Sequence, residues 1–533
     1  MTTFNLADLF EIVADAVPDR TALVAGRRLS YADLDERSTR VGRHLVDAGI
    51  SPGEHVAVLS WNRAEWLETM LGVFKARAVP INVNYRYVDA ELRYLLTDAA
   101  AVALVAERSF LEAVARIRPE LPELRHVVAI DDGSDVELAD AVDYEDALAQ
   151  ASPQREFAPR SGDDHYLLYT GGTTGPPKGV VWRVEDLFFA ALSGGNPGGA
   201  PIERPEELAL RLPDAPQPWL VTSPLMHGNG QWNSLTPLLT GRGVVLWTEH
   251  RFDPAGVARM VSEERPQVLV LVGDGMALPF VDAVEAAPDE FDLSSVAVIA
   301  SGGAILSPTV KRRLLEVMPG CLIVDGFGAS ETGTSGTLVG DGGDGQPRFS
   351  MRDDTAVLDD DMRAVAPGSG VAGRLARRGR IPLAYWNDPE KTAKTFPTDA
   401  EGTRWAIPGD LAVPEADGTI RLLGRGSSCI NTGGEKVHPE EVESALKRHP
   451  AVADAFVVGV PDERFGERVT AVLTVRGDTA PDVEELRGFL RPLIAGYKAP
   501  RQIVVVPTLQ YTPQGKPDLR WAKDVAMSNV EVV

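Results

Sequence analysis

Three stretches of this chain carry residue types and spacings suited to handling a nucleotide. The first is Tyr169 to Val180, Y-T-G-G-T-T-G-P-P-K-G-V. Glycines remove the Cβ atoms that would keep an anion at a distance. Thr170, Gly171, Gly172, Thr173, Thr174 and Gly175 would therefore offer backbone N–H groups and hydroxyls to phosphate, with Lys178 reaching a terminal phosphate. Pro177 precedes Lys178 and Gly179 follows it, so this is not a Walker loop, which needs Gly-Lys followed by Ser or Thr. Taken alone, a glycine- and threonine-rich surface loop with an incidental lysine would read the same way. The second stretch, Asp325 to Gly333, is D-G-F-G-A-S-E-T-G. Phe327 could stack on a base, Thr332 donate to a phosphate, and Glu331 supply a hard oxygen to magnesium. The third, W-A-I-P-G-D-L, sets Asp410 after a glycine turn, where a carboxylate can accept both ribose hydroxyls.

The elements that must position these residues read as alternating strands and helices. Leu6, Leu9, Phe10 and Val13 recur at helical spacing up to Pro18. Beyond them, His55 to Leu59, Ala101 to Val105 and His126 to Ile130 read as strands and Asn62 to Lys75 as a helix. The alternation predicts crossover units and a largely parallel sheet. Further apolar runs at Val244 to Trp247, Val268 to Val272, Val296 to Ala300 and Leu322 to Val324 extend it. Three of these run into glycine turns: Gly273, Asp274, Gly275 and Met276; Ser301, Gly302, Gly303 and Ala304; and Gly326 to Thr332. Glycines at the carboxyl ends of parallel strands mark where a ligand approaches the backbone. Gly194 to Pro218 is irregular and acidic, a surface loop or an excursion near the site mouth. After about residue 424 a compact unit follows, with helices at Pro439 to Arg448 and Val483 to Leu490 and strands at Ala455 to Val460, Val469 to Val475 and Ile503 to Val506. The fold class is α/β, a large N-terminal domain with a small C-terminal one.

At 533 residues more than one domain is expected. With 53 basic and 77 acidic residues the formal charge is -24, which argues against a nucleic-acid partner. The two cysteines, Cys321 and Cys429, lie far apart without histidines at metal-ligand spacing, so neither a disulfide scaffold nor a zinc site is predicted. Asp8 and Glu11 stand where a signal peptide would carry positive charge, and no run of about 18 apolar residues occurs. A cytoplasmic protein without a membrane span is expected.

The phosphate loop, the D-G-F-G-A-S-E-T-G stretch, A-Y-W-N-D-P-E-K-T-A-K-T-F within Arg380 to Phe396, the Asp410 turn, G-V-P-D-E-R-F-G-E-R-V from Gly459 and Y-T-P-Q-G-K from Tyr511 occur in the order of the adenylate-forming superfamily. That superfamily comprises acyl-CoA synthetases, luciferases and peptide-synthetase adenylation domains, and the chain resembles the acyl-CoA synthetases over essentially its whole length. The resemblance implies an acid and ATP giving an acyl-adenylate and pyrophosphate, then CoA giving the thioester and AMP. It makes Lys516 the lysine bridging carboxylate and α-phosphate, and Lys178, Glu331 and Thr332 the other catalytic groups. Gly302, Gly303, Ala304, Asp325, Gly326, Phe327, Ser330, Asp410 and Arg425 would hold the nucleotide. His227, Gly228 and Trp232 would line the acyl pocket, with Gly273 and Asp274 beside them. Gly433 and Gly434 would line the pantetheine channel. Lys498 either meets CoA phosphates or is simply solvated.

The chain departs from the family at Phe327 for tyrosine, Pro408 for threonine, and Ser427 for the usual Asp or Lys of the hinge. The implied division is 1–424, a hinge at 425–428, and a mobile domain at 429–533. ATP, magnesium and CoA are the implied cofactors and a homodimer the expected assembly. T-G-G-T-T-G-P-P-K-G-V-V-W and G-R-G-S-S-C-I-N-T-G-G-E-K-V-H-P-E-E-V-E look closest to actinobacterial ligases of sterol side-chain and other polycyclic terpenoid acids, with a fatty acid as the nearest substitute. An enzyme of one half-reaction, an adenylating enzyme with another acceptor, a luciferase-type oxygenase and a silent binding protein are the alternatives.

Overall fold

The computed structural model describes residues 2–170, 176–304, 306–339, 348–425, 430–432, 435–462, 466–477, 480–494, 496–512 and 515–528. Among these, strands assemble into a fourteen-stranded, an eight-stranded and a five-stranded sheet. The first two belong to the large domain. Their central strands are parallel: His55–Leu59 between Val79–Asn82 and Ala101–Glu107, and Val268–Leu271 between Trp219–Val221 and Val298–Gly302. All four residues of Val268–Leu271 and all seven of Ala101–Glu107 are buried. Strands covered on both faces carry unbroken apolar runs, which is why they are conspicuous in the sequence.

The opening helix, Leu6–Ala16, is capped by Asn5, whose side chain accepts from the Ala7 N–H at 2.9 Å. Its Leu6, Leu9, Phe10 and Val13 join the core between the two large sheets. Segment 194–218 packs on this same core through Ile202 and Leu208, with a short helix at Glu207–Leu210, which resolves it as a tethered surface excursion.

Two elements differ from expectation. Gly273 to Met276 is not a glycine turn but the first turn of helix Gly273–Ala286. Leu322 to Val324 does not run into a glycine turn; the strand continues through Gly326 and Phe327 to Ala329 and pairs antiparallel with Gly333–Val339. Gly333 takes φ +65°, and a Cβ there would lie 2.8 Å from the Ala190 carbonyl, so the hairpin turn requires glycine. The nucleotide-type motif is therefore displayed along a β-hairpin.

Residues 430–528 build the small domain, with Val452–Asp462 and Gly466–Val475 as a long antiparallel pair and Gln502–Val505 joined parallel to the second. The helices Pro439–Leu446 and Val483–Leu490 close its core over Val457, Ala471 and Leu473. Buried in that core, Glu443 accepts from the Val457 N–H at 2.8 Å. Burial raises its carboxyl to about 8, against the pull of Lys447. A carboxyl whose folded pKa is raised gives stability that is lost as pH rises from about 4.5 through about 8. Glu443→Gln should therefore leave the melting temperature near pH 4.5 unchanged and raise it by a few degrees at pH 8.5; calorimetry at both pH values checks this.

Candidate active site

The strands His165–Thr170 and Lys178–Arg183 form an antiparallel pair in which Thr170 faces Lys178. The phosphate loop is thus the tip of a hairpin. Gly171, Gly172, Thr173, Thr174 and Gly175 lie outside the described residues. The base of the hairpin is fixed by Asn82, a residue sequence reasoning passed over. Its side chain accepts from the Tyr169 N–H at 2.8 Å and donates to the carbonyls of Tyr169 at 2.9 Å and Met226 at 2.7 Å. One buried amide therefore joins the phosphate hairpin to the turn before His227. Lys178 pairs with Asp388 at 2.8 Å, and that hydrogen bond holds its ammonium above the ordinary lysine range.

The hairpin meets the 325–333 stretch through two contacts. Trp182 Nε1 donates to the Ser330 carbonyl at 2.9 Å, and the Tyr385 hydroxyl donates to Glu331 Oε1 at 2.6 Å. Tyr385 sits opposite Val180, so the A-Y-W segment forms a strand beside the phosphate hairpin. Glu331 is thus half-buried with one oxygen oriented, a geometry that suits a magnesium ion taking its remaining oxygens from phosphates and water. Tyr385→Phe should raise the magnesium concentration for half-maximal activity by about 10- to 100-fold, in line with a lost hydrogen bond to a charged group; a magnesium titration of initial rates checks this.

Four expected roles meet a different geometry. Thr332 is buried, and its hydroxyl is used inside the hairpin turn, accepting from the Ala329 N–H at 3.0 Å beside Ser335 Oγ at 3.0 Å. Ser330 is the half-exposed hydroxyl of that stretch. Asp325 turns into the protein and pairs with Lys311 at 2.8 Å, both buried. Burial raises its carboxyl while Lys311 opposes that rise. Asp274 is buried and faces Lys447 of the small domain at 3.1 Å, so it is not a wall of an acyl pocket. Lys498 pairs with Glu441 at 2.7 Å within the small domain and is neither solvated nor turned to a ligand.

His227, Gly228, Trp232 and the Gly302–Gly303 turn meet at the amino end of helix Gly228–Leu238. His227 is its cap residue. Among the described residues its buried Nε2 meets no hydrogen-bond partner, and the same holds for Trp232 Nε1 just over one turn along. Burial drives the His227 imidazole down to about 3, and the charges of Lys516 and Arg86 push the same way. A neutral imidazole and an indole N–H at a positive helix end can receive a carboxylate. A Cβ on Gly228 would lie 2.8 Å from Leu168 Cδ2 of the phosphate hairpin, so this helix end abuts it. Asn229, also passed over, donates to the Gly302 carbonyl at 2.9 Å and ties the helix to the Gly302–Gly303 turn, with Ala304 following. Gly302 in turn backs onto Gly326. Phe327 is half-buried and meets Phe349 edge-on, ring centroids 5.0 Å apart.

Lys516 enters from the small domain. Gly515, one residue before it, packs on Val272, and a Cβ on Gly275 would lie 2.6 Å from the Gly515 carbonyl. The loop is therefore docked on the turn between Val268–Leu271 and helix Gly273–Ala286. Beside it opens a cavity of about 310 Å³ walled by Trp61, Tyr85, Trp247, Phe252, Tyr511 and Gly515. Arg86 and Arg251 stand exposed at its edge. Asp410 begins the strand Asp410–Pro414 and is paired in register with Arg425. Ser427, Gly433 and Gly434 lie outside the described residues. Among the described residues no group of three or more His, Cys, Asp or Glu could hold a metal on its own, and no helix is long and apolar enough to cross a membrane.

Comparison with known proteins gives the family and the fold. The model of the AMP-binding enzyme family matches residues 10–384, and that of the AMP-binding enzyme C-terminal domain matches 441–516. A 3-oxocholest-4-en-26-oate--CoA ligase of Rhodococcus rhodochrous is 46% identical over 98% of this chain and 95% of its own. A medium/long-chain-fatty-acid--CoA/3-oxocholest-4-en-26-oate--CoA ligase of Mycolicibacterium smegmatis is 46% identical over 98% and 96%. Among solved structures, an anthranilate CoA ligase in complex with anthranoyl-AMP superposes with a TM-score of 0.84 at 25% identity, covering 99% of both chains.

Proposed function

The chain belongs to the AMP-binding enzyme family and is an acyl-CoA ligase working through an acyl-adenylate, and from that premise we propose that its acid is a bulky steroid-type acid or a medium- to long-chain fatty acid. The observation that carries the substrate is the 46% identity, over nearly the full length, to ligases named for 3-oxocholest-4-en-26-oate.

In the first half-reaction a carboxylate oxygen attacks the α-phosphorus of ATP, forming the C(O)O–P bond while pyrophosphate leaves. His227 Nε2 and Trp232 Nε1 would orient the acid at the helix end, and Lys516 would bridge the attacking carboxylate and the α-phosphate. Lys178 would exchange Asp388 for the triphosphate, and Glu331 would hold magnesium, whose charge neutralises the phosphates when bound. Asp410, paired in register with Arg425, would take the ribose, and Phe327 the base. No protein nucleophile is required; the gain comes from positioning and fixed positive charge.

In the second half-reaction the CoA thiolate attacks the acyl carbon, a C–S bond forms, and the C–O bond to AMP breaks. The aromatic-walled cavity supports an approach route for the thiol arm, because Tyr511 and Gly515 form part of its wall and withdrawal of the small domain would open it. The anionic end of CoA would meet Arg86 and Arg251. The hinge is proposed at 425–428, between the two matched family regions.

The test is acid-dependent exchange between ATP and pyrophosphate, with CoA thioesters detected by mass spectrometry, across sterol side-chain, fatty, diterpenoid and aromatic acids. Exchange and thioester should both be strongest with sterol side-chain or C8 and longer fatty acids. A preference for small aromatic acids would overturn the substrate proposal.

A further inference from the structure

Four side chains form a continuous chain of ion pairs and a hydrogen bond across the domain boundary. Asp274 stands in the first turn of helix Gly273–Ala286 in the large domain, its Oδ1 held by the Ser307 N–H at 2.8 Å. Its Oδ2 meets Lys447 Nζ at 3.1 Å, and the same ammonium meets Asp454 Oδ1 at 2.8 Å. The other oxygen of Asp454 accepts from the Tyr511 hydroxyl. Tyr511 opens the loop that ends in Lys516, and its ring lies against Gly275 of the large domain. The side chains of Lys447, Asp274 and Asp454 are 11%, 4% and 5% exposed, so the pairs are shielded from solvent and salt. Thr309 of the large domain adds a contact to the Lys447 carbonyl at 3.5 Å.

We propose that Lys447 is a positioning residue for adenylation: by bridging Asp274 of the large domain and Asp454 of the small one, it latches the Lys516 loop into the active site, and the latch must part before CoA can react. Lys447 caps helix Pro439–Leu446, so its ammonium moves with the rigid body of the small domain. Any rotation that withdraws Lys516 also separates Lys447 from Asp274 while leaving it with Asp454. The bridge thus favours one pose and contributes nothing to the other. Burial alone would lower the Lys447 ammonium, yet the carboxylates of Asp454 and Asp274 hold it well above the usual lysine range, so it stays charged throughout the working pH range.

This inference rests on the ligase reading, and the experiment separates the two. Wild type, Lys447→Met and Lys447→Arg are compared in ATP–pyrophosphate exchange and in thioester formation from a supplied acyl-adenylate, using the acid on which wild type turns over fastest. Lys447→Met should lose exchange about tenfold or more, keep its KM for ATP within about twofold, and form thioester at the wild-type rate or faster. Lys447→Arg should recover most of the exchange. Equal loss in both steps, or undiminished exchange, would overturn the latch. If Lys447→Met does not fold, Asp274→Asn decides by the same split, since it removes only the arm that crosses the boundary. Wild type active in both steps with the variants reduced equally sinks the latch alone. Wild type with no exchange on any acid sinks the ligase reading and the latch with it.

Discussion

Lys516→Ala is expected to lose adenylation by about 100- to 1,000-fold while forming thioester from a supplied acyl-adenylate at close to the wild-type rate. A fixed donor at developing negative charge is worth about 3–4 kcal/mol in an enzyme site, which sets that range. The geometry makes the split sharp. The Lys516 loop is docked against Gly275, and the charge of Lys516 reaches His227, the residue proposed to orient the acid. In the proposed cycle, thiol attack on a ready-made adenylate follows withdrawal of that loop, which leaves the lysine no part in it. Single-turnover assays of each half-reaction check the result; equal loss of both would remove Lys516 from the adenylating role and leave it a structural part of the loop.

Most of the scaffold was legible because its signals are local. Strands such as His55–Leu59 and Val268–Leu271 are short unbroken apolar runs, and helix Val483–Leu490 carries its apolar residues at helical spacing. The stretches carrying the phosphate loop, Glu331 and Lys516 stood out as unusual residue types in contiguous sequence. Asn82 and Lys447 were not, because nothing near them in sequence sets them apart; Tyr385 and Asn229 lie inside stretches that were singled out, but nothing local assigns them their distant partners. Asn82 acts on a carbonyl 144 residues away, Tyr385 on a carboxylate 54 residues away, and Lys447 on Asp274 173 residues away. Asp325, Asp274, Thr332 and Lys498 were misplaced for the converse reason. A charged or hydroxyl side chain inside a motif looks free for a ligand until the fold supplies Lys311, Lys447, Ala329 or Glu441 as its partner. At Gly333 and Gly275 the reason for glycine is steric, since an added Cβ would meet a backbone carbonyl oxygen in each case.

Gly275→Ala should act on the same step as Lys516→Ala without touching a charged or reacting group. Gly275 lies inside helix Gly273–Ala286, where alanine is the better helix former by about 1 kcal/mol. The large domain should therefore be at least as stable as in wild type. The added methyl, however, would lie 2.6 Å from the Gly515 carbonyl oxygen and 2.8 Å from Tyr511 Cδ1, both in the docked Lys516 loop. A backbone carbonyl cannot swing aside as a flexible side chain can. Overpacking of this kind costs about 1–3 kcal/mol, here charged only to the docked pose, so ATP–pyrophosphate exchange should fall by about 10- to 100-fold. Thioester formation from supplied acyl-adenylate should stay within about twofold, because the loop is then withdrawn. Gly488→Ala, which adds a methyl into open space within helix Val483–Leu490, should change neither step and serves as the control. If Gly275→Ala exchanges pyrophosphate as fast as wild type, the loop must dock elsewhere during adenylation. If both steps fall together, the substitution has disturbed the large domain itself, and a melting curve will register that loss independently of either assay.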